Sequence, residues 1–269
     1  MVSFTVVIPA RYAASRLPGK ALADLDGTPM VLHVAHRARA SGATRVCVAT
    51  DHEGIARAVR QGGFEAVMTR SDHPSGTDRV AEAAQEMALP GDALVVNVQG
   101  DEPLIEPGLI RAVAGLLEGT PEASMATACH PIREPAELFN ANVVKVVLDA
   151  EGFARYFSRA PIPYARDAFA GGTPAALPQG FPAYRHIGIY AFRNDFLQAY
   201  TGLPVAPLEQ FEALEQLRAL WHGFSIAVCV RQDAPQPGVD TAEDLEQVRR
   251  ILASRKRTPP AAGVKFPDN

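Results

Sequence analysis

The sequence predicts an α/β protein built on an open, mostly parallel sheet, with an antiparallel insertion lobe between about residues 130 and 192. Three observations carry this expectation. Short β-branched runs alternate with stretches of helical period, the rhythm a parallel sheet needs because each crossover takes a helix. The 269 residues are 47% apolar and 21% charged, enough to bury one sizeable core. From about 130 to 192 strand-like runs follow one another around a Pro/Gly-rich loop at 171–182, which breaks that rhythm.

The first strand is FTVVIPA (4–10), and its connection reads IPARYAASRLPGK. A helix over 29–41 follows, with Thr28 as cap, Pro29 in the first turn, Met30, Val31, Val34 and Ala38 as buried stripe, and Gly42 as stop. RVCVAT (45–50), EAVM (65–68) and ALVVNV (93–98) are strands, separated by helices at 53–61 and 77–88. The helix at 107–118 buries Leu109, Ile110, Val113, Leu116 and Leu117. VVKVVLD (143–149) and HIGIYAF (186–192) are the strands of the lobe. Regular order returns with a helix at 208–221, a strand at 225–230 and a helix at 241–252. One domain over 1–252 is therefore expected, with 253–269 a flexible, basic and proline-rich tail. There is no internal repeat.

Composition excludes several classes. The net charge is −4 with both signs interspersed, so no general nucleic-acid surface is expected and any anion site must be local. No window approaches the ~18 apolar residues of a membrane helix, and MVSFTVVIPARYAASR lacks the pattern of a leader, so a cytoplasmic location is expected. Cys47, Cys129 and Cys229 lie in three different strand-like runs without metal or redox spacing and read as buried thiols. His33 and His36 read as a solvated face, and His52, His130 and His222 are given no role. Trp221 reads as core.

In an open parallel sheet ligands bind beyond the carboxyl ends of the strands, so the first connection is informative. It has no G-x-G-x-x-G, and Ala14 stands where a P-loop needs its first glycine. Yet Arg11, Arg16 and Lys20 place three cations and no acid in a short loop of an acidic protein, which suits a polyphosphate or, more plainly, a solvated surface. In ALVVNVQGDEP a buried strand runs into Asp101, placed either to hold Mg²⁺ or to accept turn amides. In GVDTAEDL, Thr241 and Asp244 make a helix-start box that leaves Asp240 outside the helix, a second carboxylate for metal or for structure.

PARYAASRLPGK, TDHEGIARAV, HPSGTDR, NVQGDEP, YFSRAPIP, RHIGIYAF, LEQLR and GVDTAEDL, in this order over residues 4 to about 252, together resemble the 3-deoxy-manno-octulosonate cytidylyltransferase (CMP-Kdo synthetase) family. The resemblance implies a Rossmann-like fold of the nucleotide-diphospho-sugar transferase type. It also implies CMP transfer from CTP to an eight-carbon 2-keto-3-deoxy sugar acid. It puts CTP against Ala10, Arg11, Arg16, Lys20, Ser75, Gly76, Thr77, Arg79 and Gln99, with Lys20, Asp101 and Asp240 catalytic and the two aspartates holding Mg²⁺. It assigns the sugar acid to Arg159, His186, Tyr190, Glu215 and Gln216, and suggests a homodimer in which the lobe at about 130–192 serves sugar binding and dimerisation.

Two of these positions have support from the residues themselves. A glycine at 76 lets a base lie against backbone where no Cβ intrudes. On a helical wheel Glu215 falls within the stripe of Leu208, Phe211 and Leu214, so a carboxylate is expected to face the core or a cleft. Arg159 can offer a bidentate fork to a carboxylate or sit in a structural ion pair. A cytidylyltransferase for an 8-amino relative or a sialic acid, and a non-catalytic nucleotide-binding module, stand as alternatives.

Overall fold

The computed structural model describes residues 2–13 and 17–257, the side chains of 255–257 excepted. β1 (Phe4–Ala10) is apolar on both faces because helices cover both sides of it. After the first connection come a small hairpin, β2 (Asp24–Leu25) and β3 (Thr28–Pro29), then α1 (Met30–Ala40), β4 (Arg45–Thr50), α2 (Glu53–Gln61) and β5 (Glu65–Met68). α3 (Gly76–Glu86), β6 (Leu94–Asn97), α4 (Pro107–Glu118) and β7 (Met125–Pro131) continue the alternation. The short α5 (Pro135–Leu138) leads to β8 (Lys145–Leu148), β9 (Ala154–Ser158) and the long β10 (Tyr184–Arg193). The chain closes with α6 (Asn194–Thr201), α7 (Pro207–Glu212), α8 (Gln216–Trp221), β11 (Ile226–Val230) and α9 (Ala242–Arg257).

The main sheet runs β11-β7-β10-β6-β1-β4-β5. Every neighbouring pair along it is parallel except those of β10, which lies antiparallel to both β6 and β7. The open, mostly parallel α/β sheet is as expected, but HIGIYAF is not confined to a lobe. The second half of β10 is a central strand, and only its first residues, Tyr184 and Arg185, pair with β8 of the β8–β9 hairpin. Between the Ile187–Ala128 and Ala191–Ala126 pairs, β10 bulges. The lobe keeps its own small core around Ile132, Leu138, Val143 and Phe169.

Several local expectations are corrected. Thr28 does not cap α1; Thr28 and Pro29 pair with Leu25 and Asp24, and the helix starts at Met30. The helix expected over 208–221 breaks at Ala213, which adopts a left-handed φ of 50°. That break turns Phe211 outward to 89% exposure and leaves Trp221 55% exposed rather than in the core. α9 continues to Arg257, past the expected end at 252. β9 and α6 were not anticipated. Cys47 and Cys129 are buried, their thiols pushed up to about 12 by burial, whereas Cys229 is half-buried.

Candidate active site

The loop after β1 folds back through Gly19, whose φ of 71° suits a residue without Cβ and whose N–H donates to the Tyr12 carbonyl at 2.9 Å. A single 3₁₀ turn (Lys20–Leu22) then sets Lys20 at the cleft floor. After β6 the chain packs onto the end of β1 at Gly100, where an added Cβ would stand 2.7 Å from the Pro9 carbonyl oxygen. Only glycine fits there. Asp101, in this turn rather than on the strand itself, is thereby held opposite the lysine.

Lys20 Nζ lies 2.6 Å from Asp101 Oδ2, 3.1 Å from the Val239 carbonyl and 3.5 Å from Asp240 Oδ1. The Val239 N–H donates to the Asp101 carbonyl at 2.8 Å, fastening the two carboxylate-bearing turns together. Asp240 stands outside α9: Thr241 Oγ1 accepts from the Asp244 N–H, and Asp244 accepts from the N–H groups of Asp240 and Thr241. Glu102, beside this cluster, has its carboxyl pushed up to about 7 by burial and by the charges of Asp101 and Asp240. Negative charge is thus concentrated where the sheet ends. Arg11 is exposed and lines the same cleft as Ala10, and Arg16 falls outside the described residues.

The turn before α3 forms the opposite wall. Ser75 and Gly76 line the cleft with Arg79 and Gln99. The Ser75 hydroxyl is the N-cap of α3, accepting from the Asp78 N–H and donating to Asp78 Oδ2. A Cβ on Gly76 would make only ordinary contacts, 3.5 Å to Pro9 and 3.7 Å to Gln99, so the protein alone does not demand glycine there. Two side chains assigned to CTP are engaged by the protein itself. Thr77 is buried and donates to Glu215 Oε1 at 3.1 Å, and the Arg79 guanidinium is taken by Asp51 Oδ2 (2.9 Å) and Thr69 (2.6 Å). His73, at the cleft edge, is clamped by Glu82, which also accepts from the Arg70 N–H.

Of the residues assigned to the sugar acid, four gather on one flank of β10. Tyr190, Glu215 and Gln216 surround, with Thr77 and Tyr200, a void of about 10 Å³, room for no more than one water. His186 packs edge-on to Phe157 at 5.0 Å and near Tyr190 at 5.5 Å. Burial raises the Glu215 carboxyl, opposed by the hydrogen bond from Thr77. The stripe that motivated Glu215 does not exist, since α7 ends before it; the carboxylate is drawn in by the Ala213 turn instead.

Arg159 sits two residues beyond Phe157 with its fork facing main-chain carbonyls: Nε to Glu212, the two terminal nitrogens to Ala141 and Ala213. Lys145 Nζ, fully buried, donates to the carbonyls of Asn140, Val143 and Arg159, and Glu212 accepts from Ser158 and the Arg159 N–H. Neither was anticipated. A lysine inside the β-branched run VVKVVLD was the available signal for the first.

A cleft at the carboxyl ends of β1 and β6, walled by a helix-start turn and floored by a lysine between two carboxylates, is the site of a nucleotidyltransferase. The family model described as cytidylyltransferase matches residues 5–226. A solved structure of CMP:2-keto-3-deoxy-manno-octonic acid synthetase complexed with CTP is 42% identical, with a TM-score of 0.84 over 95% of this chain and 100% of that one. The chain belongs to the cytidylyltransferase family.

Proposed function

We propose that this chain transfers CMP from CTP to the anomeric hydroxyl of 3-deoxy-D-manno-octulosonate (Kdo), giving CMP-Kdo and pyrophosphate and so activating Kdo for lipopolysaccharide synthesis in the cytoplasm. The observation that carries the reading is the meeting of Lys20, Asp101 and Asp240 at one point of the cleft, together with the likeness to the CTP-bound synthetase. Neither another acidic sugar nor a binding-only module is favoured.

The hydroxyl oxygen attacks the α-phosphorus in line as the bond to the β-phosphate oxygen breaks, and the hydroxyl proton is released. Catalysis is positioning and charge neutralisation, so no Ser, Cys or His nucleophile is needed. Lys20 and Arg11 supply cations for the triphosphate. Two convergent carboxylates beside a lysine suit Mg²⁺, which takes one or two protein carboxylates and fills its other positions with water and phosphate oxygens. Asp101 and Asp240 would hold the ion, whose charge lowers the hydroxyl pKa and stabilises the leaving pyrophosphate. The turn at 75–76 with Gln99 receives cytosine and ribose, and the flank of His186, Tyr190, Glu215 and Gln216, with Arg159, receives the sugar acid.

We also read the chain as a homodimer; the resemblance suggests the 130–192 lobe as its face, but the exposed Val205, Leu208 and Phe211 supply an apolar face outside that lobe. Pyrophosphate release with each nucleoside triphosphate and a panel of sugar acids, with and without Mg²⁺, tests the reading. Turnover is expected with CTP and Kdo and only with the ion. Faster turnover of a sialic acid, or equal rates with UTP, would overturn it.

A further inference from the structure

Thr127 is fully buried on β7, opposite the bulge in β10. Because Ile187 pairs with Ala128 and Ala191 with Ala126, the three residues Gly188, Ile189 and Tyr190 all stand against this one position. Its hydroxyl oxygen lies 2.7 Å from the Ile189 carbonyl, 3.2 Å from the Ile187 carbonyl and 2.9 Å from His186 Nε2. One side chain therefore touches a carbonyl within the bulge, the carbonyl that leads into it, and the ring that precedes it.

A hydroxyl has a single proton to give. Two oxygens 2.7 Å apart attract only with a proton between them, so Thr127 donates to Ile189 and must accept from His186. In the neutral ring that puts the imidazole proton on Nε2 and leaves a lone pair on Nδ1. Nδ1 has no hydrogen-bond partner among the described residues and, unlike Gln216 Nε2 and His130 Nε2, is not one of the unpartnered atoms shut away from solvent, so this acceptor is left for a ligand. A neutral acceptor takes an O–H and disfavours a carboxylate.

We propose that Thr127 is a positioning residue of the sugar-acid site: its hydroxyl fixes the bulge and the His186 tautomer, so that Nδ1 recognises a hydroxyl of the sugar rather than its carboxylate. The proposal rests on the assignment of His186 to the sugar acid in the function given above. It separates the work of the pocket, leaving the carboxylate to cationic donors and giving one hydroxyl to the histidine.

The test compares Thr127→Val, which keeps shape and removes the proton, with Thr127→Ser, which keeps the hydroxyl. Side-chain ¹⁵N NMR reads the tautomer, with His186→Gln identifying the signal, and steady-state kinetics reads both substrates. In the wild type and Thr127→Ser, His186 is expected as the Nε2–H form. Thr127→Val is expected to lose that preference and to raise the sugar KM about tenfold with the CTP KM unchanged.

An Nδ1–H tautomer in the wild type, or an unaltered tautomer in Thr127→Val, overturns the clamp. A switched tautomer with an unmoved sugar KM overturns the recognition step. Should the wild type not use Kdo at all, the function reading fails while the NMR arm still decides whether Thr127 sets the ring.

Discussion

His186 packs against Phe157 and Tyr190, no carboxylate among the described residues pairs with it, and burial lowers its pKa to about 3. With the folded value below the unfolded 6.5, the unfolded chain takes up a proton first as pH falls. This contribution to stability is complete above pH 6.5 and is lost progressively toward pH 3, with a slope of at most ~1.4 kcal/mol per unit. Thermal unfolding between pH 7 and 4.5 should fall more steeply for the wild type than for His186→Gln; parallel curves would show that the ring titrates normally. This ring should correspondingly add no inflection near 6.5 to the sugar kcat/KM beyond that of Glu102, whose carboxyl is pushed up to about 7. Individual roles of this kind were only partly legible. The cations of the first loop and the strand-end Asp101 stand out by charge against an acidic, apolar background. Thr127 and Glu212 act through contacts with residues far along the chain, and a threonine in MATACHP looks like any other strand residue.

The broken helix at 207–221 shows what an element-scale reading misses. Leu208, Phe211 and Leu214 have helical spacing, yet Ala213 turns left-handed, α7 stops, and a separate helix, α8, begins at Gln216. Hydrophobic period does not register a single αL residue when that residue is not glycine. The turn places the carbonyls of Glu212 and Ala213 on Arg159 and carries Glu215 toward Thr77. Alanine bears a modest cost in this conformation and a β-branched side chain a larger one. Ala213→Val should therefore lower stability by about 1–2 kcal/mol in denaturant unfolding and raise the sugar KM more than the CTP KM. Equal effects on both substrates would mean that the turn supports the whole cleft rather than the sugar flank. By contrast, β1, β4, β5 and β6 and the helices between them were readable, because local alternation and sequential crossover coincide there.

At the scale of the molecule, what the sequence could not reveal is pairing at long range. β10 enters between β6 and β7 against their direction, a choice made by tertiary packing and not by any local pattern in RHIGIYAF. The apolar surface of α7 likewise became visible only once Phe211 was seen to face outward. If that surface holds a homodimer, light scattering should give a dimer for the wild type and a monomer for Phe211→Asp; a dimeric variant would place the interface elsewhere. The site itself is assembled from three distant segments, since Lys20 reaches Asp101 on the turn after β6 and Asp240 ahead of α9. Their ordering in sequence gives no hint of this, but each ends or begins a rigid element at the same edge of the sheet, so position made both carboxylates candidates while only the family resemblance assigned them to a metal. If they serve the transition state through one ion, Asp101→Asn and Asp240→Asn should each lower kcat by several powers of ten while CTP binding without metal persists. The double variant should lose little more than either single one, because groups that act as a unit are not additive. Additive losses, or an Asp240→Asn enzyme with ordinary turnover, would show that Asp240 serves only to hold Lys20 in place.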